Sequence, residues 1–169
     1  MDTTKRWVRS LLIVAIVVVV VAGDQASKIA VRADLKVGEV HRVVGDVLIF
    51  VRAENNGAFL SLGSGWSQPA RRIVFGGFTA FVTVLLLVYL LRSRRMTTVQ
   101  TIALAAVAGG GVSNIVDRLT RDGLVTDFLN LGIGSFRVTG IFNLADFFIL
   151  SGVIAYLIAN IAPSGKQGH

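Results

Sequence analysis

The sequence predicts an all-α body embedded in a membrane, with four transmembrane helices, both termini cytoplasmic, and a small sheet on the outer side. Three observations predict it. Of 169 residues, 53% are hydrophobic and 16% charged, and the mean hydropathy of +0.70 exceeds what a soluble domain tolerates. The apolar residues gather into long runs and do not follow the period of a water-facing helix or strand. Basic residues cluster at ends of these runs that fall on one side of the bilayer: Lys5, Arg6 and Arg9 before the first, and Arg92, Arg94 and Arg95 between the second and third.

The first span is expected from about Trp7 to Val31, with an unbroken apolar stretch Leu11 to Gly23 and a polar end carrying Asp24, Gln25, Ser27 and Lys28. The second runs Ile73 to Leu91, the third about Thr97 to Val116, and the fourth about Phe142 to Ile161. Each approaches the roughly 20 residues a helix needs to cross about 30 Å of hydrocarbon. Lys166 in the tail agrees with a cytoplasmic C-terminus, whereas Arg71 and Arg72 fall on the outer side against the rule. A cleavable leader is an alternative reading of the N-terminus, with its basic start and small Ala22 and Gly23. It would discard the segment that leads into the polar cluster, so a retained span is expected.

Two outer loops follow, residues 32–72 and 117–141. In the first, Val43 to Val51 is a β-branched run that reads as one strand, followed by Asn55-Asn56-Gly57-Ala58-Phe59-Leu60-Ser61. In the second, Ser135 to Thr139 is a shorter strand candidate ended by Gly140. With no internal repeat, low-complexity tract or linker, residues 1–169 read as a single domain.

Composition narrows the chemistry. There is no cysteine, so thiolate nucleophiles and disulfides are excluded. The two histidines, His41 in a polar loop and His169 at the terminus, give no metal site and no Ser-His-Asp triad; no metal and no cofactor is expected. The net charge of +7 lies at span ends without a basic, aromatic-interleaved surface, so no nucleic-acid partner is expected; membrane lipids are. A monomer is the simplest assembly.

Ionisable groups at membrane depth are costly and normally face a partner or a water-filled cavity. Asp24, Asp117, Asp127 and Asp146 all fall near the same-side ends of the first, third and fourth spans. Asp24 and Lys28 share a helix face with Ser27, which suits a neutralising ion pair as well as a site. Asn114, Asp117 and Arg118 share another face, after Gly109-Gly110-Gly111, whose small residues permit close helix approach. Arg118 can pair with an aspartate or bind a substrate carbonyl; solvated charges at a helix end explain the same spacing. Asp127 and Asp146 have no basic residue at helical spacing, the nearest in sequence being Arg121 and Arg137, and Asn143 lies three before Asp146. Two such carboxyls brought together share a proton and can hydrolyse a peptide by general acid and base action on water. A proton or cation pathway in a small transporter uses the same groups, and spacing alone leaves both open; a non-catalytic scaffold is a third reading.

At these residues the chain resembles the bacterial lipoprotein signal peptidases. Asp24-Gln25-Ala26-Ser27-Lys28 is similar to the family's D-Q-x-S-K, Asn55-Asn56-Gly57-Ala58 to N-x-G-A, and Asn114-Ile115-Val116-Asp117-Arg118 to N-x-x-D-R. Val125-Thr126-Asp127-Phe128 is similar to V-x-D-F, and Phe142-Asn143-Leu144-Ala145-Asp146 to F-N-x-A-D. Five short motifs in one order on four matching spans make the resemblance specific, and their order favours the peptidase over the transporter. The resemblance implies an aspartic endopeptidase with Asp127 and Asp146 as catalytic pair, and with Asp24, Lys28, Asn55, Gly57, Asn114, Asp117, Arg118 and Asn143 holding substrate or ordering the site. It further implies a periplasmic β-cradle, a short periplasmic helix over the site, and diacylglyceryl prolipoprotein substrates cut just before the lipidated cysteine, in the inner membrane. Two places depart from the pattern: where the family commonly has N-x-G-A-A-F-S, Phe59 and Leu60 put larger apolar side chains after Ala58, which bears on the covering segment, and Ser113 replaces a common glycine, which bears on helix packing.

Overall fold

In the computed structural model the described residues are 3–55, 67–93, 95–133 and 136–161; of Thr3, Thr4, Gln68, Arg71, Arg72, Phe136 and Arg137 the backbone alone is described. Among the described residues, four helices are long and apolar enough to cross a membrane. Helix α1 is Thr3–Asp34, strands β1 and β2 are Val40–Val44 and Leu48–Asn55, and α2 is the short Gln68–Arg71, which passes through a wider π-type turn, Arg72–Gly76, into α3, Gly77–Arg92. Then come α4, Thr98–Thr120, β3, Val125–Ile133, the two-residue β4, Phe136–Arg137, and α5, Leu144–Ile161.

Helix α4 is the central one. Over half of its apolar window is buried inside the protein, against 11–17% for the other three, which present their surface outward. Three consecutive glycines explain the packing. Residues 100° apart on a helix face three directions, and an added Cβ would lie 2.8 Å from Val20 of α1 at Gly109, 2.5 Å from the Ala145 carbonyl oxygen of α5 at Gly110, and on top of Thr83 Oγ1 of α3 at Gly111. Each glycine thus admits a different neighbour to near backbone contact. Thr97 and Gln100 form a reciprocal capping box that starts α4. At its other end the left-handed Gly123 (φ 84°), whose N–H donates to the Arg118 carbonyl at 2.8 Å, turns the chain into β3.

At the end of the bundle away from the sheet, Arg9 closes α3: its guanidinium donates to the carbonyls of Leu90 (2.9 Å) and Ser93, the last acceptors of that helix. One of the expected basic anchors is therefore also a helix cap. Arg94 and Lys166 lie outside the described residues.

The sheet is antiparallel in the order β1-β2-β3-β4. The run Val43 to Val51, read from sequence as one strand, is in fact a hairpin that folds back at Gly45 (φ 51°), a conformation suited to glycine. His41, expected in a loop, lies in β1. Strand β3 was not anticipated; it carries Asp127. Of the strand expected over Ser135 to Thr139, Phe136 and Arg137 form β4 and Val138 and Thr139 lie beyond it, while Ser135 lies outside the described residues. Helix α1 runs three residues beyond the expected Val31, and Val31 and Leu35, on either side of this extension, pack under Phe128 of β3, which meets Phe50 of β2 edge-on at 5.7 Å. Burial of this small cluster seats the sheet on the helical body. Helix α4 likewise runs past Val116 to Thr120, and α5 starts at Leu144, because Phe142 is taken by β3: its N–H donates to Leu129 O at 2.8 Å and its carbonyl accepts from Phe128 and Leu129.

Candidate active site

The bridge at Phe142 brings the start of α5 beside β3, and so Asn143 and Asp146 beside Asp127. Asn143 caps α5. Its side-chain oxygen accepts from Asp146 N at 2.9 Å, while Asp146 Oδ2 accepts from Asn143 N at 3.2 Å, a reciprocal capping box. Asp24 Oδ1, reaching from α1, takes the next exposed helix donor, Ala145 N, at 2.9 Å. The Asn143-x-x-Asp146 spacing is a capping signature visible in the sequence, and would have placed the helix start correctly.

Both carboxyls of interest are held by one connected set of asparagines. Asn143 Nδ2 donates to Asp127 Oδ1 at 2.7 Å and to Asn114 Oδ1 at 3.2 Å; Asn114 Nδ2 donates to Asp146 Oδ1 at 2.9 Å; Asn55 Nδ2, from the end of β2, donates to Asp127 Oδ2 at 2.9 Å. Lys28 Nζ orients Asn114 by donating to its oxygen at 3.1 Å. Asp127 and Asp146 line one cavity of about 640 Å³ with Asn55 and Arg118, its apolar wall including Leu131, Phe142, Phe147 and Leu150.

Beneath that cavity lies a second polar layer. Lys28, Asp24 and Asp117 have fully buried side chains, and the ammonium sits 2.7 Å from Asp24 and 3.1 Å from Asp117. Ser113 Oγ donates to Asp24 at 2.6 Å; Gln25 Nε2 donates to Ser113 Oγ at 2.9 Å and Asp117 Oδ1 at 3.0 Å; Thr126 N donates to Asp117 Oδ2 at 3.0 Å. The four aspartates expected to converge therefore divide into two pairs, one ion-paired within the protein and one facing a cavity. Ser113, the residue that departs from the family pattern, is fully buried and used as a hydrogen-bond relay. Ser27 does not join; its hydroxyl bonds back to the Asp24 carbonyl.

Among the described residues Arg118 forms no ion pair with an aspartate. It donates to the Asn114 carbonyl at 3.3 Å, and its Nε is buried without a hydrogen-bond partner. Helical spacing could not reveal that this cation, with Lys28, lies near Asp127. Gln25 and Thr126 were likewise missed; neither residue type marks a site by itself. Gly57 and the segment expected to cover the site, with Phe59 and Leu60, lie outside the described residues.

Burial pushes the Asp127 carboxyl up to about 7, the neighbouring Asp146 adding to the effect, against the hydrogen bonds from Asn55 and Asn143 and the charge of Lys28. A group so raised keeps its proton in the folded protein at pH values where the unfolded chain has released it. Its contribution to stability is therefore greatest below about 3.8, and is lost as pH rises to about 7. We expect the thermal midpoint of the wild type, measured against Asp127→Asn between pH 4.5 and 7.5, to fall as pH rises. An unchanged difference across that range would refute the buried, protonated Asp127.

Residues 16–162 match the family model described as Signal peptidase (SPase) II. The chain is 36% identical to a lipoprotein signal peptidase of Treponema denticola, covering 99% of this chain and 96% of that one, and 35% identical to one of Moorella thermoacetica, covering 89% and 93%. Among solved structures it is similar to a bacterial membrane enzyme obtained by the in meso method, with a TM-score of 0.77, 26% identity, and 93% of this chain and 92% of that chain covered.

Proposed function

The chain belongs to the signal peptidase II family, a peptidase family of bacterial multi-pass membrane proteins, and from that premise we propose that it cleaves diacylglyceryl prolipoproteins just before the lipidated cysteine by aspartic chemistry. The observation that supports this most is that one residue, Asn143, holds both carboxyls at the wall of a single cavity, Asp127 through its side-chain amide and Asp146 through its backbone N–H. Asp127, raised to about 7, holds the shared proton and polarises the scissile carbonyl. Asp146 is the carboxylate that draws a proton from water, and the proton on Asp127 passes to the leaving amine. Arg118, which lines the cavity, suits a substrate carbonyl. Asn55, Asn114 and Asn143 hold the two carboxyls in register, while Asp24, Lys28 and Asp117 hold the helices that present them. Basic residues at the opposite end of the bundle favour cytoplasmic termini, which turns the sheet and the site toward the outer face of the inner membrane.

The apolar wall that includes Leu131, Phe147 and Leu150 gives the acyl chains a surface continuous with lipid, so much of the binding energy comes from the lipid part of the substrate. Purified protein is expected to cut a diacylated precursor at least about tenfold faster, in kcat/KM, than the same precursor without lipid. Equal rates on both forms would overturn the lipid-dependent reading.

A further inference from the structure

Strand β2 carries a bulge next to the site. Phe50 faces Leu129 and Ala53 faces Asp127, so Val51 and Arg52 together stand opposite Phe128 alone. The extra residue resets the register: Glu54 comes to face Thr126, and Asn55 faces Val125. Bulges re-aim side chains, but a bulged ladder is locally weakened and needs other contacts to hold it. Three charged side chains supply them.

Arg52 reaches from the bulge to the end of α1, where its Nη1 donates to the carbonyls of Leu35 (2.9 Å) and Arg32 (3.2 Å). Its Nε and Nη2 both donate to Glu54 Oε1 at 3.0 Å. Glu54 Oε2 pairs with Arg121 Nη1 at 2.7 Å, and the same Arg121, just past the end of α4, donates to the Thr126 hydroxyl, as Arg32 does at 3.1 Å. The three side chains are only 16–20% exposed. Burial pushes the Glu54 carboxyl up, but Arg121 and then Arg52 outweigh it, so it stays below its ordinary value and is charged at neutral pH. The chain of contacts thus spans α1, β2, β3 and α4, and brackets Ala53, the residue opposite Asp127.

We propose that Arg52, Glu54 and Arg121 form a latch that positions Asp127, by holding the bulged end of β2 in the register from which Asn55 reaches it. This rests on the reading of Asp127 as half of the catalytic pair. None of the three touches the reacting atoms; each acts through Asn55 and Thr126. Charged groups facing Asp127 are Asp146 from α5, Lys28 from α1 and Arg118 from α4, with amides from Asn55 and Asn143. Of these, the Asn55 bond is the one held by β2, and it favours the ionised form of Asp127.

The test uses the full chain in detergent with a diacylated precursor. Glu54→Gln and Arg121→Gln are each expected to lower kcat about tenfold with a smaller change in KM, as for a misplacement remote from the chemistry. Each should also move the Asp127 limb of the pH–rate profile to higher pH by about 0.5, the worth of one weakened hydrogen bond. The double variant should be no slower than the worse single one, since both break one unit, and Arg121→Lys should recover most of the rate. Rates that fall while the pH limb stays in place, or wild-type kinetics in Glu54→Gln, would overturn the latch. Loss of activity in Asp127→Asn and Asp146→Asn, run alongside, shows whether the catalytic reading still stands in that event.

Discussion

Replacing Asp127 or Asp146 by asparagine, one at a time, is expected to reduce cleavage of a diacylated precursor by at least about 10³-fold, while the protein still accumulates in the membrane. The size follows from the roles. Each carboxyl transfers a proton in the proposed reaction, general acid or base action is worth about 10²–10⁴-fold, and neither group can cover for the other. Asparagine keeps the volume, so helix packing at Gly110 against Ala145 is undisturbed. For Asp127 the substitution also removes a buried titrating group, and fold stability should not suffer. For Asp146 one oxygen of the capping box becomes an amide, at a cost of about 1 kcal/mol, too little to unfold the bundle. Membrane accumulation measured beside turnover therefore separates chemistry from folding. Turnover retained in both variants would sink the assignment, and proton flux through the purified protein would revive the transporter reading.

The largest effect on stability is expected at Lys28. Its ammonium is the cation between Asp24 and Asp117, and all three side chains are shielded from solvent. Lys28→Met keeps an unbranched chain of similar size but leaves two buried carboxylates without it. Removing one partner of a buried ion pair costs about 3–5 kcal/mol, more than any surface bridge here can be worth. The thermal midpoint in detergent should fall by about 10 °C. Adding Asp24→Asn should recover part of the loss, because one of the stranded charges is then neutral. The variant should also lose activity, since Lys28 orients Asn114, which in turn holds Asp146. A midpoint within about 2 °C of the wild type would mean that the buried charges are compensated in some other way.

Four spans, their approximate limits, the small sheet and the residues that gather at one end were legible in the sequence because each depends on local pattern. Long apolar runs report the solvent of the chain, and acids placed in them are too costly to be incidental. The order of five short motifs was enough to suggest the family. Element boundaries were less legible. Helix α4 outruns its expected end because Asp117, the polar residue just past Val116, is satisfied by Lys28 of α1, which hydropathy cannot register. Strand β3 escaped notice because four consecutive buried positions, Val125 to Phe128, lack the alternation of a half-exposed strand.

The sequence by itself determined that acidic groups would meet at the rim of a four-helix membrane body, since the placement of charge relative to apolar runs leaves them little choice. The motif order singled out Asp127 and Asp146, but which acids are ion-paired and which face a cavity was decided by the tertiary structure. Asp24 and Lys28 are neighbours on one helix, but Asp117 joins them across 89 residues, and Asp127 meets Asn143 and Asn55 from two other elements. Electrostatic pairing depends on distance in space and on burial, neither of which is written in the spacing of residues along one chain.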